Sequence, residues 1–299
     1  MNNTRLFHIV ALLLSLPTIY NSASHADEKK FTLSECVNKH WAHELVTFPF
    51  QAPQGRCAPD SLLLNGPGGP LAVQLAGVEL WPGSQSVKSG RVTFIVDELA
   101  PLTTQTYTLT YGPRTASAST PSDLKAEAAK DGLEVVTSRF GVRLLSGQHD
   151  YDRPVAAADV PGPVRALRLA DGTWFGGSRL FGPAAIQSWR STVTDAGPVF
   201  VRVETAYRYA DGTTLTVSTT LAAGDYALQF EMAVQGHQPE SGWELLLNRG
   251  VSIADGVRVT GSRSFAKEMP LVLDPKSAEP ACWLNPWPCE SWPESITRS

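Results

Sequence analysis

The sequence predicts an all-β protein, and three observations support this prediction. Of the 299 residues, 42% are hydrophobic and only 18% are charged, while 24 glycines and 22 prolines punctuate the chain. This composition suits a turn-rich β protein better than a helical one. Short runs of alternating apolar and polar residues recur roughly every 8 to 12 residues, as in a β-sandwich. No long amphipathic helix pattern occurs along the chain.

Residues 1–26 have the features of a signal peptide. Arg5 provides a positive charge, an apolar run extends from Leu6 to Ile19, and Ser24-His25-Ala26 is a small-x-small cleavage site. The run is shorter than the about 20 residues that a membrane span needs, although a retained anchor is the alternative. We therefore predict cleavage near Ala26 and a periplasmic or secreted protein without a membrane partner.

Four cysteines lie after the predicted cleavage site: Cys36, Cys57, Cys282 and Cys289. An even number of cysteines in an oxidising compartment favours structural disulfides. Three connectivities are open, and proximity along the chain favours Cys36–Cys57 and Cys282–Cys289. The ligand spacings of a zinc site do not occur, so we predict no metal and no other cofactor.

Residues 31–112 form a first predicted domain of short strands. VTFIVDEL (Val92–Leu99) and TYTLTYG (Thr106–Gly112) alternate apolar and polar residues, the signature of half-buried strands. LAVQLAGVELW (Leu71–Trp81) is predicted to be a strand pair bent at Gly77. A small barrel or sandwich fits this pattern.

A change of composition predicts the domain boundary. Residues 113–130 are rich in alanine, serine, threonine and lysine and poor in large apolar side chains. We interpret them as a linker, with one weak helical turn around Leu124–Lys130.

Residues 131–279 form a second predicted domain, an antiparallel β-sandwich. The segments VFVRVETAYRY, TLTVSTTL and YALQFEMAV alternate strictly, and the turns ADG and AAGD separate them, which predicts a meander with one wet face. LEVVTSRFGVRLL and VRALRLADGTW predict two further strand pairs. The residues predicted to face inward are Val199, Val201, Val203, Tyr207, Tyr209, Leu215, Val217, Thr219, Leu221, Tyr226, Leu228, Phe230, Met232 and Val234.

Charge and motif content exclude several functions. The formal net charge is −4, and no cluster of basic residues marks a nucleic-acid site. A serine-nucleophile elbow and a phosphate-binding loop are also absent from the sequence.

Two polar segments contain candidate site residues. In SGQHDYDRP, His149 or Tyr151 is a candidate catalytic base and Arg153 could bind a carboxylate, whereas a polar β-turn is the alternative. In SWRSTVTDAGP, Arg190 is a candidate substrate-binding residue on a predicted edge strand, with a solvated surface as the alternative.

The glycine-rich segment GTWFGGSRLFG provides two more candidates. Trp174 could stack on a sugar ring, and Arg179 could bind an acidic group. The alternative is a loop whose aromatic side chains fill the edge of the sandwich.

Several segments in order resemble the exo-rhamnogalacturonan lyase/YetA-like family. They are WAHELVTFPF, LWPGSQSVKSGRVTFIVDELAP, YTLTYG, LEVVTSRFGVRL, PGPVRALRLADGTWFGG and DAGPVFVRVETAYRYADG. The resemblance implies an N-terminal barrel of the RIFT type, a central β-sandwich and a C-terminal α/α toroid. The first two parts correspond to residues 31–112 and 131–279.

The segment PACWLNPWPCESWPES lies within residues 280–299, where the resemblance places the start of the toroid. Its tryptophans, Trp283, Trp287 and Trp292, are then expected to pack against a toroid that this chain lacks. A lectin-like tip closed by Cys282–Cys289 is the alternative.

The resemblance implies the N-terminal, non-catalytic part of an exported polysaccharide lyase-like protein that acts on pectic, rhamnogalacturonan-type glycans. β-Elimination beside a uronic acid needs a cation for the carboxylate, a base and an acid. Arg153, Arg179 or Arg190 could serve the first role and His149 or Tyr151 the second, but little or no turnover is expected from this chain alone. The alternative is a stand-alone carbohydrate-binding or cell-surface module. For either function, the expected binding partner is an acidic polysaccharide or oligosaccharide.

Overall fold

The computed structural model describes residues 26–113, 121–130, 132–236 and 241–246, with the short segments 258–259, 281–282 and 296–297. These residues form antiparallel β-strands and one 3-10 turn, Ala157–Asp159, and they contain no α-helix. The all-β prediction is therefore confirmed. In this part of the chain, no helix has the length and apolar character that a membrane crossing requires.

The strands fall into two units. The N-terminal unit contains β1 (Asp27–Ser34), β2 (Trp41–Gln51), β3 (Leu63–Gly66), β4 (Gly69–Leu71), β5 (Val73–Leu80), β6 (Val87–Leu99) and β7 (Thr104–Tyr111). The second unit contains β8 (Lys125–Ala129), β9 (Gly132–Val136), β10 (Gly141–Leu144), β11 (Gly147–Val155), β12 (Val164–Arg168), β13 (Trp174–Phe175), β14 (Gly177–Phe181), β15 (Ile186–Ala196), β16 (Phe200–Tyr209), β17 (Thr214–Ala222), β18 (Gln229–Gln235) and β19 (Gly242–Leu246). Three two-residue strands follow: β20 (Arg258–Val259), β21 (Ala281–Cys282) and β22 (Ile296–Thr297).

The N-terminal unit consists of two sheets around one core. Their strand orders are β1-β7-β3-β4 and β2-β6-β5. Phe94 of β6 and Tyr107 of β7 meet in this core with ring centroids 4.8 Å apart, and Phe31 stacks on Phe48 at 4.6 Å. The aromatic pairs join the two sheets because each strand sends alternate side chains inward.

The second unit is a sandwich. One sheet has the order β13-β12-β10-β9-β8, and the other has the order β11-β15-β16-β17-β18. Val142 and Leu167 of the first sheet share a core with Val201 and Leu221 of the second. A smaller sheet, β14-β19-β21, adds Trp243 to a neighbouring cluster of buried side chains.

The predicted meander forms as β16, β17 and β18, with continuous antiparallel registers between neighbours. The inward-facing residues of β16 and β17 are buried as predicted, and Gly212 at φ 88° makes the predicted ADG turn. The third segment differs from the prediction. Leu228, Phe230 and Met232 are half-buried, but Tyr226 is 69% exposed and Val234 is 46% exposed, because β18 begins only at Gln229 and lies at the edge of its sheet.

Three local predictions were wrong. Leu71–Trp81 is not a strand pair, since Val73–Leu80 forms the single strand β5 with an irregular register around Gly77. Lys125–Ala129 is the edge strand β8 and not a helical turn, because pairing with β9 outweighs the helix propensity of its alanines. The strand β15, with Arg190, lies between β11 and β16 and is not at an edge.

The predicted Cys36–Cys57 disulfide is not formed, and both thiols are free. Beside Cys57, Arg56 binds Asp27 at the start of β1 at 2.6 Å. Cys36 follows the other end of β1, where the Glu35 N–H donates to the Thr103 carbonyl at 2.9 Å. Seven strand steps separate these ends by roughly 23 Å, far beyond the about 7 Å that a disulfide allows between Cα atoms. Cys289 lies outside the described residues, as does the side chain of Cys282.

Thiol labelling of the folded protein is expected to modify Cys36 and spare Cys57. Cys36 is exposed, whereas Cys57 has no accessible surface and burial raises the pKa of its thiol, which lowers the reactive thiolate fraction. Peptide mapping after brief treatment with a maleimide measures both sites, and a urea-unfolded sample, in which both react, is the control. A Cys36–Cys57 cross-linked peptide from the folded protein would contradict the structure.

Backbone-directed hydrogen bonds join the two units. The Gln74 side-chain oxygen accepts from the backbone N–H groups of Val199 at 3.1 Å and Phe200 at 3.0 Å. His43 Nε2 donates to the Ala223 carbonyl at 2.8 Å. A small buried cluster that contains Ala76, Val199, Phe200 and Ala222 fills the contact. We call this set of contacts the joint.

Candidate functional site

A polar hollow of about 210 Å³ lies on the solvent side of the sheet β11-β15-β16-β17-β18. Alternate residues of a strand point to opposite faces, so Ala206 and Arg208, which flank the inward-facing Tyr207 of β16, project outward. The residues that line the hollow are Gln148, Asp150, Ser188, Trp189, Arg190, Ala206, Arg208 and Thr214.

Strand register places seven of these eight residues in two rows across the sheet, whereas Trp189 lies between the rows and packs against the core on the other face. In one row, Asp150 pairs with Ser188, Ser188 with Arg208, and Arg208 with Thr214. In the next row, Gln148 pairs with Arg190, and Arg190 with Ala206. The short side chains of Ser188 and Ala206 leave space between the two arginines, which creates the hollow.

Both arginines of the hollow carry charges that no carboxylate neutralises within the described part of the chain. Arg190 is exposed and donates from Nε and Nη2 to the Gln148 amide oxygen, at 2.9 and 2.6 Å. Arg208 is exposed and forms no ion pair with another described residue. As diagonal neighbours on adjacent strands, the two residues are separated by roughly 7–8 Å, so one anion could contact both guanidinium groups.

The candidate bases lie on the opposite face of this sheet. His149 pairs with Trp189 in register, and its ring meets the Tyr151 ring edge-on with centroids 4.4 Å apart. Tyr151 and Trp189 both pack against a buried core cluster. His149 and Tyr151 are therefore directed away from Arg190, and the sheet separates them from the hollow.

The other predicted site residues lie outside the hollow. Arg179 of β14 forms an ion pair with the buried Glu244 of β19. The Trp174 ring is covered by the Arg143 guanidinium at 4.7 Å. Arg153 is exposed on β11, past the paired residue Asp150. Arg190 is thus the one predicted substrate-binding residue that lines the hollow.

Arg208 and Gln148 were missed as site residues. The alternation of VFVRVETAYRY predicts one wet face, and Arg208 is exposed on it, but many outward arginines have no function. The missing information was the cross-strand register, which joins three segments that are distant in sequence. Across the described residues, no three His, Cys, Asp or Glu side chains are grouped closely enough to hold a metal ion.

Comparison with known proteins assigns no family. No family model matches the chain, and no curated protein matches it. Among solved structures, the chain is similar to a protein in the glycosyl hydrolase family 38 from Enterococcus faecalis, with 13% identity and a TM-score of 0.48. The match covers 78% of this chain and 34% of that protein, so the chain spans about a third of its length. A similarity this distant carries no inference about activity.

Proposed function

We propose that this chain is the N-terminal, non-catalytic and carbohydrate-binding part of an exported polysaccharide lyase-like protein that acts on pectic, rhamnogalacturonan-type glycans. The observation that carries the proposal is the hollow with Arg190 and Arg208, two exposed guanidinium groups without a carboxylate partner among the described residues. The segments that resemble the lyase-like family support the same substrate class.

The chemistry of the hollow fits a uronic acid residue. A guanidinium group binds a carboxylate through two parallel charge-assisted hydrogen bonds. Arg208 is fully available for such a contact, and Arg190 is already oriented by Gln148. Asp150 and Ser188, in the same row as Arg208, can accept hydrogen bonds from sugar hydroxyls.

The separation of the candidate groups supports a binding role without catalysis. β-Elimination requires the base to reach the proton next to the carboxylate that a cation neutralises. Here His149 and Tyr151 lie on one face of the sheet, and Arg190 and Arg208 on the other. In the proposal, an α/α toroid of the intact protein supplies the catalytic wall and packs on Trp283, Trp287 and Trp292. These tryptophans lie outside the described residues, as does all of the predicted signal peptide 1–26 except Ala26.

Replacing Arg208 with alanine is expected to weaken binding of trigalacturonate about tenfold, the effect of losing one charge-assisted hydrogen-bonded contact of about 1.4 kcal/mol. Arg190→Ala should have a similar effect. Isothermal titration calorimetry measures both, at low and at high salt, since screening should reduce the affinity of the unsubstituted protein.

The matched control is Arg139→Ala, which removes an exposed arginine in the turn between β9 and β10 and should leave the affinity unchanged. A neutral galactose trisaccharide should bind the hollow weakly or not at all. Equal trigalacturonate affinity in the unsubstituted protein, Arg208→Ala and Arg190→Ala would refute the proposed function.

A stand-alone carbohydrate-binding or cell-surface module is the second candidate. The observation that favours it is that all residues lining the hollow come from one sheet, so the site needs no residue from another domain. The intact mass of the natively exported protein distinguishes the two candidates. A mass that corresponds to several hundred residues more than this chain supports the lyase-like protein. A mass that corresponds to a C-terminus at Ser299 supports the module.

A further inference from the structure

A second cleft, separate from the hollow, lies where the two units meet. Its volume is about 320 Å³, within the usual range of small-molecule sites, which often occur at such boundaries. Leu71 and Ile95 of the N-terminal unit and Val199 of the second unit line it, and His43 and Asp97 add polar groups. None of these residues lines the hollow.

Most polar groups around the cleft are already used by the fold. The Asp123 carboxylate accepts from the Gly224 N–H at 2.7 Å and from Ser138. The Ser122 hydroxyl donates to the Pro198 carbonyl at 2.6 Å. These contacts hold the walls of the cleft in place and leave few polar atoms free for a ligand.

Asp97 and His43 retain free hydrogen-bonding capacity. Asp97 is exposed, and no hydrogen bond or ion pair joins its carboxylate to another described residue. His43 uses Nε2 to donate to the Ala223 carbonyl at 2.8 Å, which leaves Nδ1 as an acceptor in the neutral ring. The two residues therefore offer acceptors for hydroxyl groups beside an apolar wall.

His43 is held in a strained backbone conformation at φ 56°. Non-glycine residues with positive φ are uncommon and occur preferentially at functional sites. A Cβ atom on Gly224 would come within 2.7 Å of His43 Cε1, so the glycine allows the imidazole to sit at the rim of the cleft. The strain and the close approach both fix the orientation of His43.

We propose that this cleft is a second carbohydrate site, which binds a neutral sugar residue. The apolar face of the ring packs on Leu71 and Ile95, while its hydroxyls donate to the Asp97 carboxylate and to His43 Nδ1. Asp97 and Asp123 make the cleft unfavourable for a uronate, in contrast to the hollow with its arginines. The inference goes beyond the proposed function, and binding of a neutral sugar in the cleft does not depend on uronate binding in the hollow.

Saturation-transfer NMR on the full chain tests this site. The probes are methyl glycosides of neutral hexoses, with galacturonic acid as the acidic comparison. We expect at least one neutral glycoside to bind, and Asp97→Ala to weaken its affinity about tenfold, as for the loss of a hydrogen bond to a charged group. His43→Gly, which relieves the backbone strain, should weaken binding as well.

Two control variants separate the sites. Asp152→Ala removes an exposed carboxylate of β11 away from the cleft, and Arg208→Ala alters the hollow alone, so both should leave neutral-glycoside binding unchanged. The inference is overturned if no neutral probe binds, or if Asp97→Ala and His43→Gly bind the neutral glycoside with the same affinity as the unsubstituted protein. Trigalacturonate binding at the hollow is measured in the same samples, so its persistence shows that the proposed function stands even when the second site fails.

Discussion

Replacing Gln74 with leucine is expected to destabilise the protein by about 2–5 kcal/mol, since each buried N–H group left without an acceptor costs about 1–3 kcal/mol. The Gln74 side-chain oxygen is the acceptor for both Val199 and Phe200, and all three residues are buried in the joint. Leucine is similar in size but accepts no hydrogen bond. Urea unfolding monitored by tryptophan fluorescence measures the loss.

Gln229→Leu is the matched control, because Gln229 is exposed on the edge strand β18 and should change stability by no more than about 0.5 kcal/mol. Equal unfolding midpoints for Gln74→Leu and the unsubstituted protein would show that the hydrogen bonds of the joint contribute nothing to stability.

Replacing Gly132 with alanine is expected to cost at least about 4 kcal/mol, which exceeds most single substitutions, and to leave much of the protein insoluble. Gly132 begins β9 with φ 151°. A Cβ atom there would lie 2.0 Å from the Leu144 carbonyl oxygen, and this is a backbone atom that cannot move without displacing β10. Circular dichroism and soluble yield measure the effect.

Gly55→Ala separates steric clash from backbone strain. Gly55 also has a positive φ, 76°, but a Cβ atom there would meet nothing within 4 Å, so only the strain of about 1–2 kcal/mol is expected. If the Gly132→Ala protein is as stable and soluble as the Gly55→Ala protein, the close approach of Gly132 to the Leu144 carbonyl oxygen is contradicted.

The fold was predictable where burial follows a simple period. Val201, Val203 and Tyr207 alternate with polar residues and face the core as expected, because only one face of their sheet is buried. The alanine-rich Lys125–Ala129 was not predictable as a strand. Its first four residues, Lys125 to Ala128, are all exposed and show no alternation of buried and exposed side chains, and its conformation depends on pairing with β9. Tertiary context overrides local preference at such sites.

The disulfide and the two sites could not be predicted because they depend on contacts between residues that lie on different strands. The sequence distance between Cys36 and Cys57 is short, but the long strand β2 lies between them and carries the chain from one end of the N-terminal unit to the other, so proximity along the sequence was misleading. Arg190 and Arg208 become neighbours only through the register of β15 and β16. The cleft between the units depends on how separate sheets meet, and a periodic pattern within one strand contains no information about that.

The joint also affects how freely this sequence can change. Gln74, His43 and Asp195 each bind backbone atoms across the boundary, at Val199 and Phe200, at Ala223 and at Gly77. Every residue type other than proline offers the same N–H and C=O groups, so the contacts at Val199, Phe200 and Ala223 tolerate many substitutions, provided that the small apolar cluster remains filled. Gly77 is the exception, because its φ of 57° favours glycine. Two proteins could thus keep the same arrangement of units while their residues at this boundary share little identity.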